Sequence, residues 1–323
     1  MSIIGRVDAY QRKHPALSFP LAVVYKFFDD SGPYLAALIT YYGFLALFPL
    51  LLLASTILGI VLKSDPGAQQ RVLDSAVGQF PFVGEQLIKD PQQLGGGTAG
   101  LVVGSLVALY GGLGFGMSLQ NAMNTVWAVP RNSRPNPFKA RGRAVLLLAV
   151  VGLGVLGAAA LSAVTSGLGD QRTAVRLLAT VGAVTLNTAV LTLGLRIAVG
   201  IRLSRWQMLP GAFAAAVIWQ VLQVSGASYV QTVVANASTT NSVFAVVLGL
   251  IAFIHLASIA LVLCAQLNVV RARRLHPRAL LTPLTDDVQL TEGDKRVYRD
   301  QAKAARLKGF ERIDVTFDKD LEG

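Results

Sequence analysis

The sequence predicts an all-α fold: a polytopic membrane bundle of six transmembrane helices with both termini in the cytoplasm, interfacial helices beside it and a short soluble C-terminal tail. Three observations carry this. Of the 323 residues, 53% are hydrophobic and only 15% charged, against about 25% charged in an ordinary soluble domain, and mean hydropathy is +0.53. No Asp or Glu occurs between Asp90 and Asp170, nor between Asp170 and Asp286. A soluble surface is not built over such lengths without carboxylates, whereas lipid-facing helices need none. Finally, charge-free stretches recur at the length of a membrane crossing, about 20 residues.

Taken in order, Leu35–Leu62 is the first charge-free stretch, Gly95–Pro130 the second, Ala144–Gly169 the third and Leu177–Leu195 the fourth. Trp206–Val270 carries no charge apart from His255 and is too long for one helix. The polar run Asn236–Asn241 divides it into spans five and six. Around these lie three segments that do not span. Leu17, Leu21, Val24 and Phe28 fall at helical spacing beside Lys26 and predict an interfacial helix before span one. Val72, Leu73, Ala76, Val77 and Phe80 make a second apolar stripe on the outer side, ending at Pro81. From Arg271 the chain is soluble, with 12 basic and 10 acidic residues. There Thr291 and Asp294 form the cap of a helix reaching about Leu307, and the alternating Ile313, Val315 and Phe317 read as a short strand or extended segment. The expected organisation is a cytoplasmic segment over 1–34, a transmembrane domain over 35–270 and a charged cytoplasmic tail over 271–323.

Lys and Arg set the orientation. Sixteen lie near the ends of the spans on the side that holds the N-terminus, and five on the other: Lys63, Arg71, Lys89, Arg172 and Arg176. By the positive-inside rule that places both termini in the cytoplasm. The net charge of +11 would suggest nucleic acid on a soluble face, but here it is confined to short loops and a tail. No nucleic-acid partner is expected; the expected partners are membrane lipids. The single cysteine, Cys264, sits in an apolar run and reads as a small hydrophobe. No cleavable signal peptide is evident, so span one is expected to direct its own insertion.

Polar residues at membrane depth are costly and therefore worth naming. Span two ends in Gln120, Asn121 and Asn124, the two asparagines three apart and expected on one face. Span four carries Thr185, Asn187, Thr188 and Thr192, span five Gln220 and Gln223, and span six His255, Ser258, Gln266 and Asn268. They can hold helices together or line a polar cavity; the pattern leaves both open. Pro49 is expected to kink span one about two turns after Tyr41 and Tyr42. Gly100, Gly104, Ala108, Gly112 and Gly116 form a ridge of small residues on span two, repeated more weakly by Gly154, Ala158 and Ser162. Packing within the monomer, a homo-oligomer contact and a sliding surface all fit such a ridge. Trp127 and Trp206 are placed as interfacial anchors. Enzyme signatures are missing: no carboxylate pair lies at membrane depth, no His/Cys cluster has metal spacing, and Gly95-Gly96-Gly97 lacks the rest of a phosphate loop. No enzyme activity, metal or cofactor is expected.

Four blocks resemble the YihY/BrkB family of bacterial inner-membrane proteins: Leu35–Leu51, Asn121–Trp127 with the basic loop at Arg134-Pro135, Val243–His255, and Ala265–Arg278. The last block and the tail look most like the actinobacterial branch. One departure matters: the family pattern usually has a glutamate where this chain has Gln266, and Gln can hydrogen-bond but cannot carry a charge. The resemblance implies a six-helix inner-membrane protein, carries older ribonuclease and serum-resistance labels, and for some members implies movement of a lipid or lipid-linked precursor. The ribonuclease label finds no acid–base or metal constellation to support it. The expected function is therefore a transporter or lipid-flippase-like protein of the cell envelope, with a path near Tyr41, Tyr42, Pro49, Asn121, Asn124, His255, Gln266 and Asn268. The alternative is a non-transporting scaffold that binds partners through its tail.

Overall fold

The computed structural model describes residues 3–61, 67, 97–167, 173–229, 239–284 and 288–317. Two short helices, α1 (Ile3–Lys13) and α2 (Pro15–Asp29), lead into six long ones: α3 (Gly32–Val61), α4 (Gly97–Val126), α5 (Pro137–Gly167), α6 (Thr173–Ala198), α7 (Arg205–Tyr229) and α8 (Thr239–Arg273). A tail helix, α9 (Glu292–Ala304), follows. No strand occurs among the described residues. Each long helix packs on its neighbour in sequence, and α8 packs back on α3, so the six close into a ring.

Four of these helices hold stretches long and apolar enough to cross a membrane: Pro137–Leu161, Leu177–Ala198, Arg205–Gly226 and Val247–Arg273. Between 11% and 28% of each stretch is buried inside the protein, so most of its apolar surface faces outward, where only lipid can cover it. The shorter apolar run Gly32–Leu47 lies in α3. The helices outrun the charge-free stretches: α5 begins at Pro137 and carries Lys139, Arg141 and Arg143 in its first two turns. Basic side chains can extend past the hydrocarbon boundary into the headgroup layer, so charge marks where the apolar core ends rather than where the helix does. Of the polar run expected to divide spans five and six, residues 239–241 begin α8 and 236–238 lie outside the described residues.

In the absence of a hydrophobic drive between helices in lipid, small residues let backbones approach. On α4, a Cβ added at Gly116 would sit 2.7 Å from Ala144 Cα, and one at Gly112 would sit 3.0 Å from Leu148, so both face α5. The sequence ridge is thus a packing surface within the monomer at these two positions; the side chains at Gly100, Gly104 and Ala108 lie outside the described residues. A second ridge was not anticipated. A Cβ added at Gly111 would sit 2.7 Å from the Leu45 backbone, and one at Gly114 would run into the Tyr42 ring, so both glycines face α3.

Several expectations are corrected or sharpened. Trp127 is no interfacial anchor: it is fully buried, its carbonyl held by Arg273 Nη2 at 2.6 Å, because the chain turns inward after α4. Trp206 is exposed as expected. On α2 the outward face is Leu17, Val24 and Phe28, fitting an interfacial helix, while Ser18, Ala22, Val23, Lys26 and Phe27 are buried. α9 begins where its cap predicts, with Thr291 and Asp294 in a reciprocal capping box. Ile313, Val315 and Phe317 form no strand; they are half-buried in an extended segment whose intervening residues are exposed. The stripe from Val72 to Phe80 falls outside the described residues.

Gly111→Ala should push α3 from α4 and lower stability by about 1–3 kcal/mol, as overpacking does. Gly142→Ala, on α5 with open space around it, should be neutral or stabilising. Thermal melting of the two purified variants in one detergent separates them.

Candidate functional site

Between the helices lies a partly open cavity of about 250 Å³ to which all six long helices contribute. Its walls are apolar and many are small: Gly43, Gly154, Ala158, Gly194, Ala215 and Ala257 all line it. No Lys, Arg, Asp, Glu or His lines it. Its polar groups are few. Ser258 spends its hydroxyl on the Ile254 carbonyl at 2.8 Å. Asn187, from α6, makes no hydrogen bond to another described residue and lines the cavity. A void of this kind stays dry and accepts hydrocarbon rather than a hydrated solute.

Toward the tail-side end of the bundle lies the opposite environment, a buried polar cluster. Lys26 and Asp30, one helical turn apart at the end of α2, form an ion pair with side chains 1% and 3% exposed. Gln266 Nε2, from α8, donates to Asp30 Oδ2 at 2.8 Å. Gln301 Nε2, from α9, reaches Asp30 Oδ1 at 3.3 Å and the Asp29 carbonyl at 3.2 Å. Gln266 Oε1 is buried without a partner. Beside this cluster, Arg278 is buried between two carboxylates: its Nη1 is 2.9 Å from Asp29 Oδ2, and its Nε donates to Asp294. Asp294 also accepts from Ala279 N at 3.0 Å and Thr291 N at 2.9 Å. Tyr25 and Tyr298 rings flank the guanidinium. Burial pushes the Asp29 carboxyl above the usual carboxylate range, with Arg278 pulling the other way. Burial works against the charge on Arg278, but Asp29 and Asp294 outweigh it and raise its pKa.

The residues named from sequence do not converge on one polar path. Tyr41 is 55% exposed and points outward, in edge contact with Tyr42, whose ring also meets Tyr110. Pro49 lies inside α3, with its side chain outside the described residues. Asn121 is exposed and accepts from Arg134 Nη1 at 3.3 Å, whereas Asn124 is buried and accepts from Gly200 N at 2.7 Å. Three residues along a helix leave an offset of about 60°, enough to put one asparagine at the edge and the other inside. Asn268 clips α8 to α7 across Pro210, accepting from Gly211 N at 2.7 Å and donating to the Met208 carbonyl at 3.0 Å. His255 Nδ1 lies 3.1 Å from Thr40 Oγ1. Since that hydroxyl already donates to the Ala36 carbonyl, Nδ1 must carry the proton. Of the eight, Gln266 alone enters the buried ion cluster.

Lys26, Asp29, Asp30, Arg278, Asp294 and Gln301 were missed. A signal existed: Ala22, Val23, Lys26 and Phe27 fall on one helical face, which places Lys26 among buried apolar neighbours. Its contribution to the inside charge count hid that. Among the described residues no group of three His, Cys, Asp or Glu side chains is placed to hold a metal.

The family model for virulence factor BrkB matches residues 23–288. The chain belongs to the BrkB family. No curated protein and no solved structure matches it. The match begins within α2 and ends just beyond Arg278, so the BrkB region takes in Lys26, Asp30, Gln266 and Arg278 but not α9.

Asp294→Ala would leave Arg278 buried beside a single carboxylate, and breaking such a pair costs about 3–5 kcal/mol. The expected result is a lower melting temperature and rapid proteolysis of the tail. Asn124→Leu strands the Gly200 N–H and should cost about 1–3 kcal/mol, seen as lower yield and melting temperature. Wild-type stability in either variant would count against the contact it removes.

Proposed function

We propose that this BrkB-family membrane protein is a transporter or lipid-flippase-like protein of the cell envelope, which lodges the hydrocarbon part of its cargo in the central cavity. In this reading it sits in the cell membrane with six spans and both termini in the cytoplasm. One observation carries the proposal: a void lined by all six long helices with scarcely a polar group in it. Larger side chains in place of its glycines and alanines would close it, so the small walls support a cavity that is filled in the membrane. Asn187, a polar side chain there with no hydrogen-bond partner among the described residues, suits a single polar group on the ligand near the apolar chain.

The scaffold alternative draws less support. Part of the tail packs on the protein's own bundle, through Arg273–Asp300 and Gln301–Asp30. Deleting residues 285–323 would strip these contacts, so loss of function on deletion would reflect damage to the bundle end as readily as loss of a partner.

Cavity filling tests the proposal directly. Ala158→Phe with Ala257→Phe should abolish photo-cross-linking by a lipid that carries a photoactivatable acyl chain, and any lipid transfer, while yield and melting temperature hold. Undiminished labelling of α5 and α8 in that variant would overturn it.

A further inference from the structure

The cations at the tail-side end fall into two populations. On the side built by α1, α2, α8 and α9, four are paired: Arg12 with Asp8, Lys26 with Asp30, Arg273 with Asp300, and Arg278 with Asp29 and Asp294. Around the ends of α4 to α7 stand eight more: Arg131, Arg134, Lys139, Arg141, Arg143, Arg196, Arg202 and Arg205. Among the described residues none of these eight forms an ion pair. The sequence explains why. No acid lies within their own stretch of chain apart from Asp170, at the far ends of α5 and α6.

These eight share one end of the bundle. Asn124 of α4 bonds Gly200, just past α6, and Arg143 Nη1 of α5 donates to the Val199 carbonyl at 3.2 Å. The tail crosses beside them, with Asn132 N donating to the Arg306 carbonyl at 3.2 Å, and among the described residues its acids form no ion pair with the eight. Glu311 is held by Leu307 N at 2.6 Å, and Asp314 by Arg312 at 2.9 Å. Six of the eight are exposed; Arg134 and Arg143 are half-buried and anchored to backbone carbonyls. Burial and the neighbouring Arg131 lower the pKa of Arg134, as expected where cations are gathered without a counter-ion. Large aromatic groups stand among them at the same level: Phe138 is 82% exposed beside Lys139, and Trp206 is 67% exposed with Arg205 over its ring. Cations interleaved with outward aromatics at the boundary of apolar helices match the headgroup layer of a bilayer.

We propose that the tail-side rim formed by the ends of α4, α5, α6 and α7 is a binding surface for anionic phospholipid headgroups. The lipid phosphates supply counter-charge that no described residue provides to these eight, and the acyl chains lie along the exposed apolar faces of α5 to α7. The inference stands independently of whether the central cavity carries cargo.

The test is native mass spectrometry of the purified full-length protein in detergent, titrated with phosphatidylglycerol or phosphatidylcholine. The variant Arg131→Gln, Lys139→Gln, Arg141→Gln, Arg196→Gln, Arg202→Gln, Arg205→Gln should weaken phosphatidylglycerol binding by at least about tenfold, since each basic residue near an anionic surface contributes on the order of 1 kcal/mol. Phosphatidylcholine binding should not change. A control, Arg6→Gln with Lys13→Gln and Arg271→Gln, removes exposed cations from the other side and should leave the preference intact. Two triple variants, 131/139/141 and 196/202/205, cover the case in which the sixfold variant does not fold; each should lose part of the preference. An unchanged preference in the rim variants, an equal loss in the control, or displacement of the lipid by a short oligonucleotide at equal phosphate would each overturn the proposal.

Discussion

The buried charges of Lys26, Asp30, Arg278 and Asp294 constrain the rest of the molecule more than any apolar contact does. Taking an ion out of water costs several kcal/mol even after relaxation, so none of these groups is tolerable alone. Each is tolerable because elements distant in sequence meet around it. Asp30 gathers a lysine from its own helix, an amide from α8 and an amide from α9. Arg278 gathers a carboxylate from α2 and another from α9. The requirement that every buried charge be satisfied therefore fixes where α2 lies on α8 and where the tail returns. Gln266 fits this setting. A glutamate there would bring a second carboxylate within 2.8 Å of Asp30 Oδ2, where two like charges do not both ionise readily. With Gln266 the lysine serves Asp30 alone.

Along the helices the governing rule is different. Lipid offers apolar helices no hydrophobic reason to associate, so the ring holds by close approach and by hydrogen-bond clips. Glycines on two faces of α4 bring α3 to one side and α5 to the other, while Asn124 and Asn268 fasten helix starts and ends at the tail-side rim. Tight seams at the perimeter and small side chains inward are what leave the centre open. The cavity is thus a consequence of how the ring is sealed, and its apolar character follows from helices that carry no charge over that depth.

What was legible in the sequence was what depends on composition along a single helix. The long apolar elements, the Thr291–Asp294 cap and the outward stripe of α2 all follow from local pattern. What was not legible depends on distance across the chain. Asn121 and Asn124 looked alike at three residues' spacing, yet one faces out toward Arg134 and the other in toward Gly200, because the loop after α6 determines which is covered. Trp127 had the position of an anchor but is roofed by Arg273 from α8. Lys26 and Asp30 counted as ordinary interface charges, and only the return of α9 shows why they are buried. The polar residues selected as a transport path turned out to be engaged largely in structure, whereas the cavity is made of the residues a search for chemistry passes over.

The net charge of +11 takes on a different meaning once divided by location. Counted as a total, it reports orientation. Divided by partner, it separates cations that hold the fold together from cations that do not. The first set sits where α2, the end of α8 and the tail supply carboxylates, and substituting any of them strikes at the tail's docking. The second set sits in a stretch of chain that supplies no acid at its own end of the bundle, so no rearrangement of its own loops can neutralise it. Water and salt can screen exposed charges, but at the level of Phe138 and Trp206 the nearest large body of phosphate is the bilayer itself. The absence of acids that first marked this chain as a membrane protein is thus also what leaves these eight cations without an ion pair among the described residues.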